Sequence, residues 1–79
     1  MNEVGKQLIE NQKRRATCLA DAAIALRNLL VATGYVGSDE EKLASIDFEE
    51  VDAQVGRLKG FKAQMRALRD ERAALKAQA

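Results

Sequence analysis

Few side chains in this sequence are equipped for chemistry of their own. Histidine is absent, which removes the commonest general base and the commonest transition-metal ligand. The single cysteine, Cys18, has no histidine to activate it and falls in the most apolar part of the chain, where a thiol behaves as a small hydrophobe. Gly34-Tyr35-Val36-Gly37 has the glycines of a phosphate loop but neither its lysine nor the helix that follows it. Asp39, Glu40, Glu41, Asp47, Glu49, Glu50 and Asp52 could in principle hold a hard cation. Their spacing does not follow the calcium-loop pattern, and several fall where helix starts collect acids to offset the macrodipole. No catalytic residue, cofactor or metal site is expected, and the chain reads as a non-enzyme.

The cations are better organised. Lys59, Lys62, Arg66 and Arg69 recur at helical steps of three and four, continued by Lys76, and make one stripe ~25 Å long at about 1.5 Å per residue. Such a stripe can track a phosphate backbone, and a hairpin would bring Lys13, Arg14 and Arg15 to the same end. Against nucleic acid, no aromatic interleaves the stripe to stack on bases, and basic stems routinely cover the flanks of helical seams. A DNA-reading helix-turn-helix is excluded because Glu49, Glu50 and Asp52 would be pushed toward phosphates. Tyr35, beside Val36, is the one aromatic in a connecting segment and a candidate partner contact.

The elements that must position these residues are helical. Proline is absent, aromatics make up 4% of the 79 residues, and strong helix formers dominate. Apolar residues at Val4, Leu8, Leu19, Ala22, Leu26 and Leu29, with Ala23 and Leu30 beside them, predict a first helix over about 2–33. Gln12 and Arg15 interrupt this face, so a polar layer is expected near its start. Ala16, Ala20, Ile24 and Val31 form a second apolar stripe, and a helix apolar around most of its girth is normally buried by more than one neighbour. Phe48, Val51, Val55, Leu58, Phe61, Met65, Leu68 and Leu75 predict a second helix over about 47–78, with Arg72 interrupting its seam. Gly56 and Gly60 cost such a helix roughly 1 kcal/mol each relative to alanine, which a close helix contact or a bend would explain.

Between them, residues 34–46 form a connection with two defined edges. Gly34 sits where a helix C-terminus favours positive φ, and Gly37 supplies a second free corner. Asp47 is placed as an N-cap, with Glu50 in the capping-box position and Ile46 and Val51 as a hydrophobic staple; Ser38 and Glu41 are spaced as a box of their own. The fold expected is therefore all-α: a single domain, an antiparallel two-helix hairpin resembling a coiled coil. Residues 36–52 carry a balance of −6 and residues 53–79 one of +5, so the net charge of +1 conceals a rod with an acidic tip and a basic open end.

Two helices touching along one seam have little core, since ordering costs ~1.5 kcal/mol per residue while each buried Leu or Phe returns only ~1.5–3 kcal/mol. The second stripe points to a remedy, in which two hairpins pair through Ala16, Ala20, Ala23, Ile24 and Val31 as a four-helix bundle. The function expected is a non-catalytic protein-interaction module, an adaptor, chaperone or regulatory subunit, that binds a second copy and another protein. Nucleic-acid binding through the basic stripe is the alternative. Asp21 and Arg27 interrupt the apolar run too soon for a signal sequence or a membrane span. One cysteine cannot close an internal disulfide. The expected setting is cytoplasmic.

Overall fold

The computed structural model describes residues 2–34 and 37–78. Two long helices, α1 (Glu3–Ala32) and α3 (Phe48–Gln78), lie side by side, joined through a short helix α2 (Asp39–Ala44). The result is a rod of 58 × 16 × 15 Å. The pairing is antiparallel. Asn11 Nδ2 donates to the Leu68 carbonyl at 2.8 Å, and the Cys18 thiol reaches the Phe61 carbonyl at 3.5 Å, so seven residues forward on α1 are seven back on α3. Among the described residues there is no strand, and no helix is long and apolar enough to cross a membrane.

The helix ends from Asn2 to Asp47 are closed by their own chain. Asn2 Oδ1 accepts from the Gly5 N–H at 2.8 Å and caps α1. At the other end the Gly34 N–H donates to the Val31 carbonyl, and Gly34 takes φ +62°. A side chain there would be strained by that φ and would also strike Ser45 Oγ and the Lys42 carbonyl, the latter at 2.8 Å. Ser38 Oγ caps α2 through the Glu41 N–H, and Asp47 Oδ1 caps α3 through the Glu50 N–H at 3.0 Å. The return half of the box at Asp47 is not made. Its own N–H donates to the Ala32 carbonyl at 3.0 Å, while the Glu50 carboxylate accepts from Gln54 Nε2. That exchange ties the start of α3 to an otherwise unpaired carbonyl at the end of α1, a tighter corner than a capping box alone supplies.

The seam follows a repeat of three and four, but α1 presents a different face from the one its large residues suggest. Cys18, Ala25 and Ala32 are buried, with Ala22 and Leu29 half-buried between them; on α3, Leu68 and Leu75 are buried and Leu58, Phe61 and Met65 half-buried. Leu19, Leu26 and Leu30, expected in or beside the contact, are instead 56%, 52% and 57% exposed. Small residues on α1 let the large side chains of α3 fill the space between two closely apposed helices, and no third helix covers the leucines.

Gly56 and Gly60 do not mark a close helix contact. A Cβ built at either finds nothing within 4 Å. Replacing both with alanine is therefore expected to raise stability by about 1–2 kcal/mol, read as a higher midpoint of thermal unfolding by circular dichroism. Gly34→Ala should lower that midpoint.

Candidate interaction surface

The polar layer forms around a residue the periodicity did not single out. Asn11 is 0% exposed; its amide nitrogen binds the Leu68 carbonyl, and its Oδ1 accepts from Arg15 Nε at 2.8 Å. Gln12 is exposed. Asn11 thus meets both of its polar atoms' needs inside the seam and aims the Arg15 guanidinium along it. A second buried amide is less well served: Gln54, 4% exposed, donates to Glu50 at 2.6 Å but its Oε1 has no partner.

The two sides of the hairpin differ in charge. On one side Arg14 Nη1 lies 3.6 Å from Glu71 Oε1, Asp21, Ile24, Arg57 and Phe61 surround a shallow hollow, and Val31 neighbours Asn28 and Glu50. The Arg14–Glu71 pair is half in solvent and contributes well under ~1 kcal/mol. On the other side α1 runs from Ile9 through Gln12, Ala16, Leu19, Ala23 and Leu26 to Leu30 at steps of three and four without a charge. Beside it, the flank of α3 runs from Phe48, Asp52 and Val55 to Lys59, Lys62, Arg66 and Arg69 at the same steps, with Lys76 two turns on. Near the open end these flanks meet in a hollow lined by Leu8, Ile9, Gln12, Arg15, Arg72 and Lys76, three cations and no carboxylate.

Lys59, Lys62, Arg66 and Arg69 are all exposed along one stripe. Lys13, Arg14 and Arg15 do not join it as a set: Lys13 is exposed, Arg14 turns to Glu71, and Arg15 is held in the seam by Asn11. Ala16, Ala20, Ala23, Ile24 and Val31 are all exposed on the surface of α1 away from the seam. Tyr35 and Val36 lie outside the described residues. Cys18 is buried with its thiol toward α3. Among the described residues, no three Asp, Glu or Cys side chains gather as a cation site. The exposed leucines escaped the periodic reading because α1 is apolar on nearly every side between Ala16 and Ala32, so spacing alone selects no face.

Comparison with protein-family models, with curated proteins and with solved structures finds no match in any of the three.

The two buried amides should respond oppositely to removal. Asn11→Ala strands Arg15 in the seam and is expected to cost about 1–3 kcal/mol, whereas Gln54→Met removes an unpaired acceptor and should stabilise by about 1 kcal/mol. Urea unfolding midpoints of the two variants check both signs.

Proposed function

We infer that this chain is a non-catalytic protein-interaction module, a small adaptor, chaperone or regulatory subunit, that works as a pair of hairpins forming a four-helix bundle. One observation carries the reading: the outer surface of α1 is apolar and uncovered. Leu19, Leu26, Leu30, Ile24 and Val31 are each more than half exposed, while the fully buried apolar residues among those described are Cys18, Ala25, Ala32, Leu68 and Leu75, two of them alanines. The exposed area agrees. The chain shows 5967 Å² to solvent, against ~4700 Å² for a compact monomer of its 8.7 kDa mass. The excess of ~1200 Å² is of the order one partner buries in a standard interface, ~800 Å².

The surface includes Ala16, Ala20, Ala23, Ile24 and Val31, and the exposed leucines extend it. Ala23 lies near its middle. A cytoplasmic setting goes with this reading, since the lone cysteine offers no disulfide to replace a missing core. Nucleic-acid binding is a weaker second reading. It is favoured by the unbroken exposure of Lys59, Lys62, Arg66 and Arg69 and opposed by the divergence of Lys13, Arg14 and Arg15.

Sedimentation equilibrium at micromolar concentration tests the assembly. Twice the mass of one chain is expected, and Ala23→Glu should return it to a single chain's mass. A wild-type protein that sediments as one chain overturns the bundle. Capture of binders from the native cell extract tests the second reading: a discrete protein retained after nuclease treatment supports the module, and retention of nucleic acid alone supports the basic stripe.

A further inference from the structure

We propose that the second copy docks antiparallel, on the side of the hairpin carrying Leu19, Leu26 and Leu30, so that the basic open end of each chain lies against the acidic apex of the other. This rests on the bundle inferred above and specifies which face is used and in which direction. Two sides of α1 are available. The side of Ile24 and Val31 also holds Arg14 and Asp21, with Glu50, Arg57 and Glu71 facing them from α3. On the other side the row from Ile9 to Leu30 is itself uncharged, with Arg15 beside it at the open end and the basic stripe of α3 along its flank, and it is continued at the apex by Phe48, 66% exposed. Covering that side desolvates one charge on α1, Arg15 at the open-end hollow, against Arg14 and Asp21 on the opposite side, and the cations of α3 beside it are the groups a partner's acids would meet.

Direction follows from charge. The apex segment, residues 36–52, has a balance of −6, and residues 53–79 have one of +5. A parallel pair would set acid against acid at one end and base against base at the other. An antiparallel pair sets unlike ends together twice, because a two-fold axis repeats every contact. The apolar row accepts the same arrangement. With the axis beside Leu19, Ile9 comes opposite the partner's Leu30, Gln12 opposite the partner's Leu26 and Ala16 opposite the partner's Ala23: large against large at the ends, small against small nearer the centre, and an amide against a leucine between them.

The hairpin register then places the charges. Asn11 is level with Leu68 and Cys18 with Phe61, which puts Ile9 level with Asp70, between Arg69 and Arg72 and one turn from Arg66, and Leu30 level with Glu49, one turn from Asp52. Bringing Ile9 to the partner's Leu30 therefore brings those arginines to the partner's acidic turn. Lys76, one turn further, reaches the level of the acidic α2. The hollow at the open end suits this role: Arg15, Arg72 and Lys76 line it beside Leu8 and Ile9. Arg14–Glu71 is the one ion pair among the described residues, so these three cations have no carboxylate of their own.

The test is the dimer dissociation constant, measured by sedimentation as a function of salt and charge. Wild type should dissociate more readily as salt rises. Arg69→Glu/Lys76→Glu should weaken pairing at low salt by about tenfold or more, and adding Glu49→Lys/Asp52→Lys to the same chain should restore it, with helicity by circular dichroism unchanged throughout. All four positions are exposed, so the hairpin itself should tolerate the reversals. Leu19→Glu should abolish pairing, and Ile24→Glu should weaken it far less. A wild-type dimer that tightens with salt, ignores the charge reversals, or is broken by Ile24→Glu and not by Leu19→Glu overturns the proposal and leaves the bundle intact. A wild type that is monomeric at every concentration overturns the bundle and this proposal together.

Discussion

Two helices alone can bury only the line along which they touch, and the structure of this chain follows from how that line is filled. The seam of α1 is made of cysteine and alanine for much of its length, with Cys18, Ala25 and Ala32 fully enclosed. Small residues bring the helix axes close, so the larger side chains of α3 reach across and cover them. That gives a continuous contact but a thin one. Leu8 and Leu29 enter it half-buried, while Leu19, Leu26 and Leu30 remain outside.

A thin seam makes register a problem of its own, because alanines opposite flexible Met65 and Leu58 define position weakly. The polar layer supplies what the apolar contact lacks. Asn11 bonds one particular carbonyl on α3, that of Leu68, and one particular side chain, that of Arg15. A slip of either helix would leave the Asn11 amide nitrogen without its partner inside the seam, a penalty that loss of alanine contacts alone does not impose. At the far end the Asp47 N–H bonded to the Ala32 carbonyl does the same for the corner. The hairpin is pinned at two points, one near each end, with weakly specified packing between them.

Much of the corner was legible because caps and glycines act locally: Gly34 and Gly37 both take positive φ, and Asp47 and Ser38 both cap helices with their side chains, whereas the bond from Asp47 N–H to Ala32, which replaces the Glu50 half of the box, depends on where α1 ends in space. The hairpin itself was legible from the matched helix lengths and the steps of three and four. The choice of face on α1 was not, because periodicity locates a seam by contrast between apolar and polar sides, and from Ala16 to Ala32 that contrast is nearly absent. The row that turned inward is Cys18, Ala22, Ala25, Leu29 and Ala32, smaller on the whole than the row of Leu19, Leu26 and Leu30 left outside. Asn11 was passed over for a related reason: a polar residue on an apolar face is visible as an interruption, but whether it is buried with both needs met depends on a carbonyl fifty-seven positions away. Gly56 and Gly60 face open space, so no close contact accounts for them.

The uneven charge has a local origin and a non-local consequence. Both α2 and α3 begin at the apex, and helix starts favour Asp39, Glu40, Glu41, Glu49 and Glu50, while the last turns of α3 favour cations. Helix-end preferences, stacked at one corner by the topology, therefore segregate charge along the whole rod. Within one molecule this segregation does almost nothing, because the ends are separated by most of a 58 Å rod and charges are screened over ~8 Å at physiological salt. Folding of the hairpin is indifferent to it. The charges acquire an effect only when the end of another molecule comes within a screening length, and then the preference is for the unlike end. A pattern that each helix needs for its own terminus becomes, on a rod with an uncovered apolar flank, the feature that gives its docking a direction.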